Sequence, residues 1–134
     1  MDVKQVGVVG IGTMGSGIAI VSLSAGLKTI VADRDETLLK DGASRIEKFF
    51  LKGVEKGKLT EDQKRESLGR LMTTARLDDL KDCDVIIEAV YEDLSTKKKL
   101  FSELNSICKK NALFLSNTVS YTHLRAHETG RNIV

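Results

Sequence analysis

Residues 3–19, VKQVGVVGIGTMGSGIA, decide the fold of this chain. The first part of the stretch, residues 3–9, is dense in β-branched side chains and predicts a buried strand. Glycines at positions 10, 12 and 15 follow with the spacing G-x-G-x-x-G, and a helix is expected directly behind them. The chain has eleven glycines, which permit chance matches to that spacing, so the position between a strand and a helix is what makes the pattern specific.

The three glycines have separate roles in a turn that binds a dinucleotide. Gly10 permits the tight turn, Gly12 lets the backbone approach a diphosphate without a Cβ, and Gly15 lets the helix pack close to the strand. Unpaired N–H groups at the helix start, together with the positive end of the helix dipole, stabilise the phosphates. The predicted cofactor contacts in this turn are Gly10, Ile11, Gly12, Thr13, Met14 and Gly15.

A carboxylate follows the second predicted strand, residues 29–32. Asp33 lies 23 residues after Gly10, close to the ~20 expected for a carboxylate that binds the adenosine ribose. Such a carboxylate hydrogen-bonds a 2′-hydroxyl and repels a 2′-phosphate, which favours NAD. Arg34 leaves NADP open, because a guanidinium there is able to pair with that phosphate. In the alternative interpretation the glycines pack for structural reasons only, and Asp33 caps the next helix.

Strands and helices alternate along the rest of the chain. This predicts right-handed crossovers and a mostly parallel sheet covered on both faces. Together with the glycine turn, it leads us to expect a Rossmann-type doubly wound α/β fold with strand order 3-2-1-4-5. The first helix is expected to end at Gly26 and to pack through one apolar stripe: Met14, Ile18, Val21 and Ala25. A second helix is expected at 36–55, where one face carries an apolar stripe: Leu39, Ala43, Ile46, Phe50 and Val54. Further helices are expected from a capping box at Thr60 to about 71 and at 95–108, and further strands at 71–74, 85–90 and 112–115.

Composition excludes several classes of protein. A chain of 134 residues fits one domain, and 41% hydrophobic with 30% charged residues predicts a packed core. The net charge of +2 is too near neutral for a nucleic-acid partner. Apolar runs are short of the roughly 20 residues that a membrane span needs, and the N-terminus does not resemble a signal peptide. Two cysteines without a short pairing motif favour a reducing, cytoplasmic setting.

Three further stretches carry a narrower resemblance: VADRD at 31–35, DCDVIIEAVYEDLSTKKKLFSELNSIC at 82–108, and SNT at 116–118. With the glycine turn they resemble the NAD-binding domain of the short-chain 3-hydroxyacyl-CoA dehydrogenases, the bacterial 3-hydroxybutyryl-CoA enzymes above all, over about residues 1–118. The resemblance implies NAD-dependent oxidation of the 3-hydroxyl of a 3-hydroxyacyl-CoA to the ketone, and the reverse, in fatty-acid or butyrate metabolism.

The resemblance also implies site residues beyond the glycine turn. Glu92 and Lys97 match residues that line the nicotinamide half of the cofactor site. Asn117 matches an asparagine beside the reacting centre, and Lys56 falls near a lysine that contacts CoA. The alternative for Glu92 and Lys97 is a solvated helix N-terminus with favourable charge order. Glu88, at the end of a predicted strand, is expected to be structural.

After residue 118 the chain departs from the family. Val119 stands where the family has a serine, and the catalytic His, the Glu that orients it, a second Asn and the helical C-terminal domain with its dimer interface are not found. We therefore expect an incomplete NAD-binding domain at 1–118 that turns over poorly, because a general base contributes roughly 10²–10⁴-fold. Residues 119–129, VSYTHLRAHET, resemble a translated sequencing adaptor, so 119–134 is expected to be a non-native tail; a divergent helix is the alternative. His123 and His127 lack a third ligand nearby, so no metal site is predicted.

Two other functions remain open at this point. A 3-hydroxyacid or 6-phosphogluconate-type dehydrogenase shares a G-x-G-x-M-G turn, although the E-A-V-x-E block argues against it. A non-catalytic dinucleotide-sensing domain would bind NAD together with a partner, but the near-neutral charge and the absence of a linker give that interpretation no support.

Overall fold

A parallel sheet with helices on both faces organises the residues that the computed structural model describes, 2–89 and 94–116. The strands are β1 (Gln5–Val9), β2 (Lys28–Ala32), β3 (Leu71–Thr74), β4 (Val85–Glu88) and β5 (Leu113–Ser116). The helices are α1 (Thr13–Ser24), α2 (Glu36–Glu55), α3 (Glu61–Gly69) and α4 (Leu94–Ile107), with a 3-10 turn at Leu77–Leu80 that the sequence pattern did not predict. None of these helices combines the length and the apolar character needed to cross a bilayer.

The strand order is β3-β2-β1-β4-β5, as predicted. Val9, the last residue of β1, pairs with Ala32 on one side and with Glu88 on the other. The carboxyl ends of β1, β2 and β4 therefore meet at one edge of the sheet. β2 and β3 lie on one side of β1, whereas β4 and β5 lie on the other side, so the order of the strands reverses between β1 and β4. Ligands of open α/β sheets bind at such a switch point.

The core is divided between the two faces of the sheet. On one face α1 and α2 cover β1 and β2, with Ile46 and Phe50 of α2 almost fully buried, as the apolar pattern of that helix predicted. On the other face α4 covers β4 and β5, and the rings of Phe101 and Phe114 lie 5.7 Å apart. The capping box at Thr60 is present, since its side chain accepts from the Gln63 backbone N–H.

The predicted packing face of α1 was wrong. The buried residues of this helix are Gly15, Ser16, Ala19, Ser22 and Leu23, whereas Val21 is 70% exposed and Met14 is 38% exposed. Large apolar residues occur all round α1, so their spacing does not identify the packed face. The small residues identify it, because they let the helix approach β1 closely.

The opposite, amino edge of the sheet is fastened by Asp84. Its carboxylate accepts from the backbone N–H groups of Lys4 (2.8 Å) and Gln5 (3.1 Å) and pairs with the Lys109 ammonium. The hydrogen bond from Lys109, followed by those from the backbone, lowers the pKa of Asp84 from 3.8 to about 2. Nearby Cys83 is a free, buried thiol, and burial raises its pKa to about 11.

Candidate dinucleotide site

The glycine turn between β1 and α1 forms a cradle with an open side. Gly10 has φ 101°, a conformation that favours glycine, and its N–H donates to the Ala32 carbonyl at 2.8 Å. A Cβ at position 15 would lie 1.8 Å from the Gly10 carbonyl oxygen, whereas a Cβ at position 12 would meet nothing within 4 Å. The turn is therefore closed against the protein at Gly15 and open at Gly12, which fits a diphosphate approaching Gly12.

The start of α1 is available to an anion. Gly12 occupies the N-cap position, and within the described residues no side chain caps the helix. Thr13 and Met14 form the first turn, and no acidic residue lies in it. Backbone N–H groups at such an end are the usual donors to a phosphate. Ile11 as a whole is 1% exposed, and both of its backbone groups are held inside the protein, the N–H by the Asp33 carboxylate and the carbonyl by the Ser16 hydroxyl. The described structure therefore does not bring Ile11, one of the predicted cofactor contacts, to the open side of the turn.

Asp33 connects the glycine turn to the end of β2. Its Oδ2 accepts from the Ile11 backbone N–H at 3.1 Å, and its Oδ1 accepts from the Asp35 N–H at 3.0 Å. The N-cap of α2 is Asp35, whose side chain accepts from Thr37 and Leu38. The interpretation of Asp33 as the cap of the next helix was therefore wrong. Its carboxylate is held beside the turn, 22 positions away in sequence from Ile11.

A cleft of about 570 Å³ extends from the glycine turn along the carboxyl edge of the sheet. Its floor is apolar, and α4 closes one side of it. An adenine base next to Asp33 would pack against the apolar side chains of this cleft and be shielded from water. The apolar lining includes Val9, Ala32, Leu38, Ala89, Leu100 and Ile107.

Two ion pairs stand on the rim of this cleft and bear on the choice of dinucleotide. The Arg34 guanidinium lies 3.8 Å from the Glu103 carboxylate, and that of Arg76 lies 3.7 Å from the Asp78 carboxylate. With Asp33, the rim carries three carboxylates against two guanidinium groups. A 2′-phosphate would meet this excess of negative charge, so the rim favours NAD over NADP.

Lys97 is buried and paired, which the sequence did not predict. Its Nζ lies 3.0 Å from Oε1 of Glu88, and the two side chains are 6% and 0% exposed. The interpretation of Lys97 as part of a solvated helix end was therefore wrong, although Lys98 and Lys99 are exposed. The sequence signal that could have predicted this pair is the Glu88 carboxylate at the end of the apolar strand VIIE. A carboxylate there is expected to be buried, and a buried charge requires a partner.

The remaining predicted residues lie away from the cleft or outside the described part of the chain. Lys56 is exposed at the C-terminal end of α2, roughly 30 Å of helix from the end that faces the cleft, at 1.5 Å per residue. Glu92, Asn117 and Val119 lie outside the described residues, as do His123 and His127. Within residues 2–89 and 94–116, no cluster of three or more potential metal ligands occurs.

Comparison with known proteins assigns the family. The model of the 3-hydroxyacyl-CoA dehydrogenase NAD-binding domain matches residues 5–129. The chain belongs to this family. Its cofactor is NAD, and the open cradle at Gly12 and the placement of Asp33 fit that cofactor. The resemblance inferred from the glycine turn and residues 82–118 is confirmed.

Relatives of this NAD-binding domain are longer proteins. The 3-hydroxybutyryl-CoA dehydrogenase of Bradyrhizobium diazoefficiens is 39% identical over 92% of the chain, which spans 43% of that protein. The corresponding protein of Mycobacterium tuberculosis is 43% identical over 88% of the chain and 42% of its own length. The crystal structure of the Escherichia coli 3-hydroxybutyryl-CoA dehydrogenase superposes with a TM-score of 0.85 at 35% identity, over 88% of this chain and 25% of that one. The chain thus spans less than half the length of these relatives, and the domain boundary at 118 remains a prediction.

Proposed function

We propose that this chain provides the NAD-binding part of an enzyme that oxidises the 3-hydroxyl of a 3-hydroxyacyl-CoA, such as 3-hydroxybutyryl-CoA, to the ketone and catalyses the reverse. The observation that supports this most is the cradle open at Gly12, with Asp33 tied to the same turn. Relatives that are 3-hydroxybutyryl-CoA dehydrogenases, similar over most of the chain, supply the substrate class. The setting we propose is cytoplasmic fatty-acid or butyrate metabolism.

The residues of the cleft bind and orient the dinucleotide. N–H groups of the first turn of α1 donate to its diphosphate, while Asp33, fixed by the Ile11 N–H, accepts from a ribose hydroxyl. The apolar floor excludes water from one face of the adenine. Bound NAD would supply the hydride acceptor for the oxidation.

Substrate contacts are proposed on two elements. The exposed ammonium of Lys56, past the end of α2, is suited to pair with a phosphate of CoA. Asn117 follows β5 directly, and the last residue of β5, Ser116, pairs with Glu88 at the carboxyl edge of the sheet. We propose Asn117 as a group beside the reacting centre. Glu92 and Lys97 are proposed for the nicotinamide side.

Turnover by this chain alone is expected to be poor. Oxidation of a hydroxyl needs a group that takes its proton, and both histidines of the chain, His123 and His127, lie outside the residues that the structure describes. The proposal therefore separates binding, which this domain supplies, from proton transfer. A homodimer or higher assembly is proposed for the complete enzyme, as the family implies.

Two measurements on the 134-residue chain test the proposal. Calorimetric titration with NADH is expected to saturate at one site per chain, with weaker binding of NADPH. An assay of NADH production from 3-hydroxybutyryl-CoA is expected to give little or no turnover. No heat with millimolar NADH would overturn the binding part, and turnover near that of a full-length relative would overturn the expected inactivity.

A further inference from the structure

A buried hydroxyl contacts the glycine turn from the side of α1. Ser16 is 1% exposed, and its Oγ donates to the backbone carbonyl of Ile11 at 2.8 Å. The same Oγ accepts from Nη1 of Arg45, on α2, at 3.0 Å. Because Arg45 has only donors, it occupies a lone pair of the oxygen and leaves the Ser16 hydrogen for Ile11. The three residues form a directed chain from α2 to the turn.

The carbonyl that ends this chain belongs to the peptide group between Ile11 and Gly12. The peptide is trans, so its C=O and its N–H point in opposite directions. When Ser16 holds the Ile11 carbonyl towards the interior, the Gly12 N–H is directed away from it. Gly12 lines the cleft and faces open space there. The orientation of a donor in the phosphate cradle is therefore set from behind, by a side chain.

The approach of α2 makes this chain possible. A Cβ at position 42 would lie 2.0 Å from Cγ1 of Ile11, so the helix packs directly on the turn at Gly42. Arg45 follows one turn later on α2, on the side from which it reaches Ser16. On the other side of Ile11, its own N–H is held by Asp33. Both peptide groups that flank Ile11 are thus fixed by contacts outside the turn.

We propose that Arg45 and Ser16 are positioning residues for the cofactor diphosphate, acting through the Ile11 carbonyl to direct the Gly12 N–H. The proposal rests on the proposed NAD binding and deepens it, because it identifies side chains outside the glycine motif that determine the affinity. Neither residue lines the cleft, so their effect on the ligand is transmitted by the peptide plane.

The test is calorimetry with NADH on four variants of the full chain, with thermal unfolding of each. Ser16→Ala removes the hydroxyl at a helical position that alanine favours, and about a tenfold rise in Kd is expected from the loss of one hydrogen bond. Arg45→Met is expected to raise Kd about three- to fivefold. The double variant is expected to bind as weakly as Ser16→Ala alone, because both changes act through one hydroxyl. Lys40→Met, an exposed charge removed from the same helix, is the control and is expected to bind as the wild type does.

Several results would overturn the inference. A Kd for Ser16→Ala within twofold of the wild type would show that the hydroxyl does not set the donor. Effects of the two single changes that multiply in the double variant would show separate action. If Lys40→Met weakens binding as much as Arg45→Met, the effect is one of general charge. Absence of NADH binding by the wild type itself would overturn both this inference and the proposed function, so the two failures are distinguishable.

Discussion

Adding a methyl group at Gly12 and, in a separate variant, at Gly15 is expected to separate the effect on cofactor binding from the effect on folding. At position 15 the new Cβ would lie 1.8 Å from the Gly10 carbonyl oxygen, whereas ordinary contact begins at 3.4 Å. The atom it meets is backbone, so either the turn or α1 must move. At position 12 the new Cβ meets no atom within 4 Å, and φ there is −54°, outside the left-handed region that favours glycine.

The magnitudes follow from these contacts. Overpacking against backbone costs about 1–3 kcal/mol and more where neighbours cannot move, so Gly15→Ala is expected to lower the free energy of unfolding by at least that amount. Gly12→Ala is expected to change it by less than about 1 kcal/mol, since alanine reduces the entropy of the unfolded chain but is a poorer N-cap than glycine. Its methyl group, however, occupies the space in which we place the diphosphate.

Urea unfolding and NADH calorimetry on both variants provide the assay. Gly12→Ala is expected to unfold like the wild type and to lose at least tenfold in NADH affinity. Gly15→Ala is expected to unfold at clearly lower urea concentration. A Gly12→Ala variant that binds NADH as the wild type does would refute the placement of the diphosphate. A Gly15→Ala variant as stable as the wild type would refute the close approach of α1 to the turn.

Three further outcomes are expected. Lys97→Met leaves the Glu88 carboxylate buried without its cation and should lower the free energy of unfolding in urea by about 3–5 kcal/mol. Lys99→Met, at an exposed position, should change it by less than about 0.5 kcal/mol. Equal effects of the two changes would contradict the buried pair. Asp33→Asn removes the charge that repels a 2′-phosphate, so the ratio of NADPH to NADH affinity should rise at least tenfold, and an unchanged ratio in calorimetry would contradict the assigned role. The pKa of Asp84 is lowered to about 2 in the folded chain, so its contribution to stability is present above about pH 4 and lost as the pH falls towards 2. Asp84→Asn should therefore flatten this part of the dependence of stability on pH, measured by thermal unfolding. A slope identical to that of the wild type would exclude the Asp84 carboxylate as its source.

The sequence predicted the glycine turn and the parallel crossovers because both depend on local signals, and the strand order followed from the fold that such a turn indicates. Gly10 needs its conformation at the point where β1 ends, and the alternation of strands with helices dictates the crossovers. The packed face of α2 was predicted equally well, since Ile46 and Phe50 recur on it at helical spacing.

Other features depend on how separate elements dock, and no local pattern carries that information. The packed face of α1 was missed because the helix is apolar all round, and the close approach at Gly15 selects its small residues. The Glu88–Lys97 pair arises only when α4 lies over β4. The contact of Arg45 with Ser16 joins two residues on different helices that are 29 positions apart in sequence.

The most direct test of the account is a two-dimensional amide NMR titration of the chain with NADH, because it locates the ligand residue by residue. The account predicts saturable shifts concentrated at the amides of Gly10, Gly12, Thr13 and Ala89, with those of the amino edge near Asp84 unmoved. Saturable shifts confined to residues away from the glycine turn would contradict it.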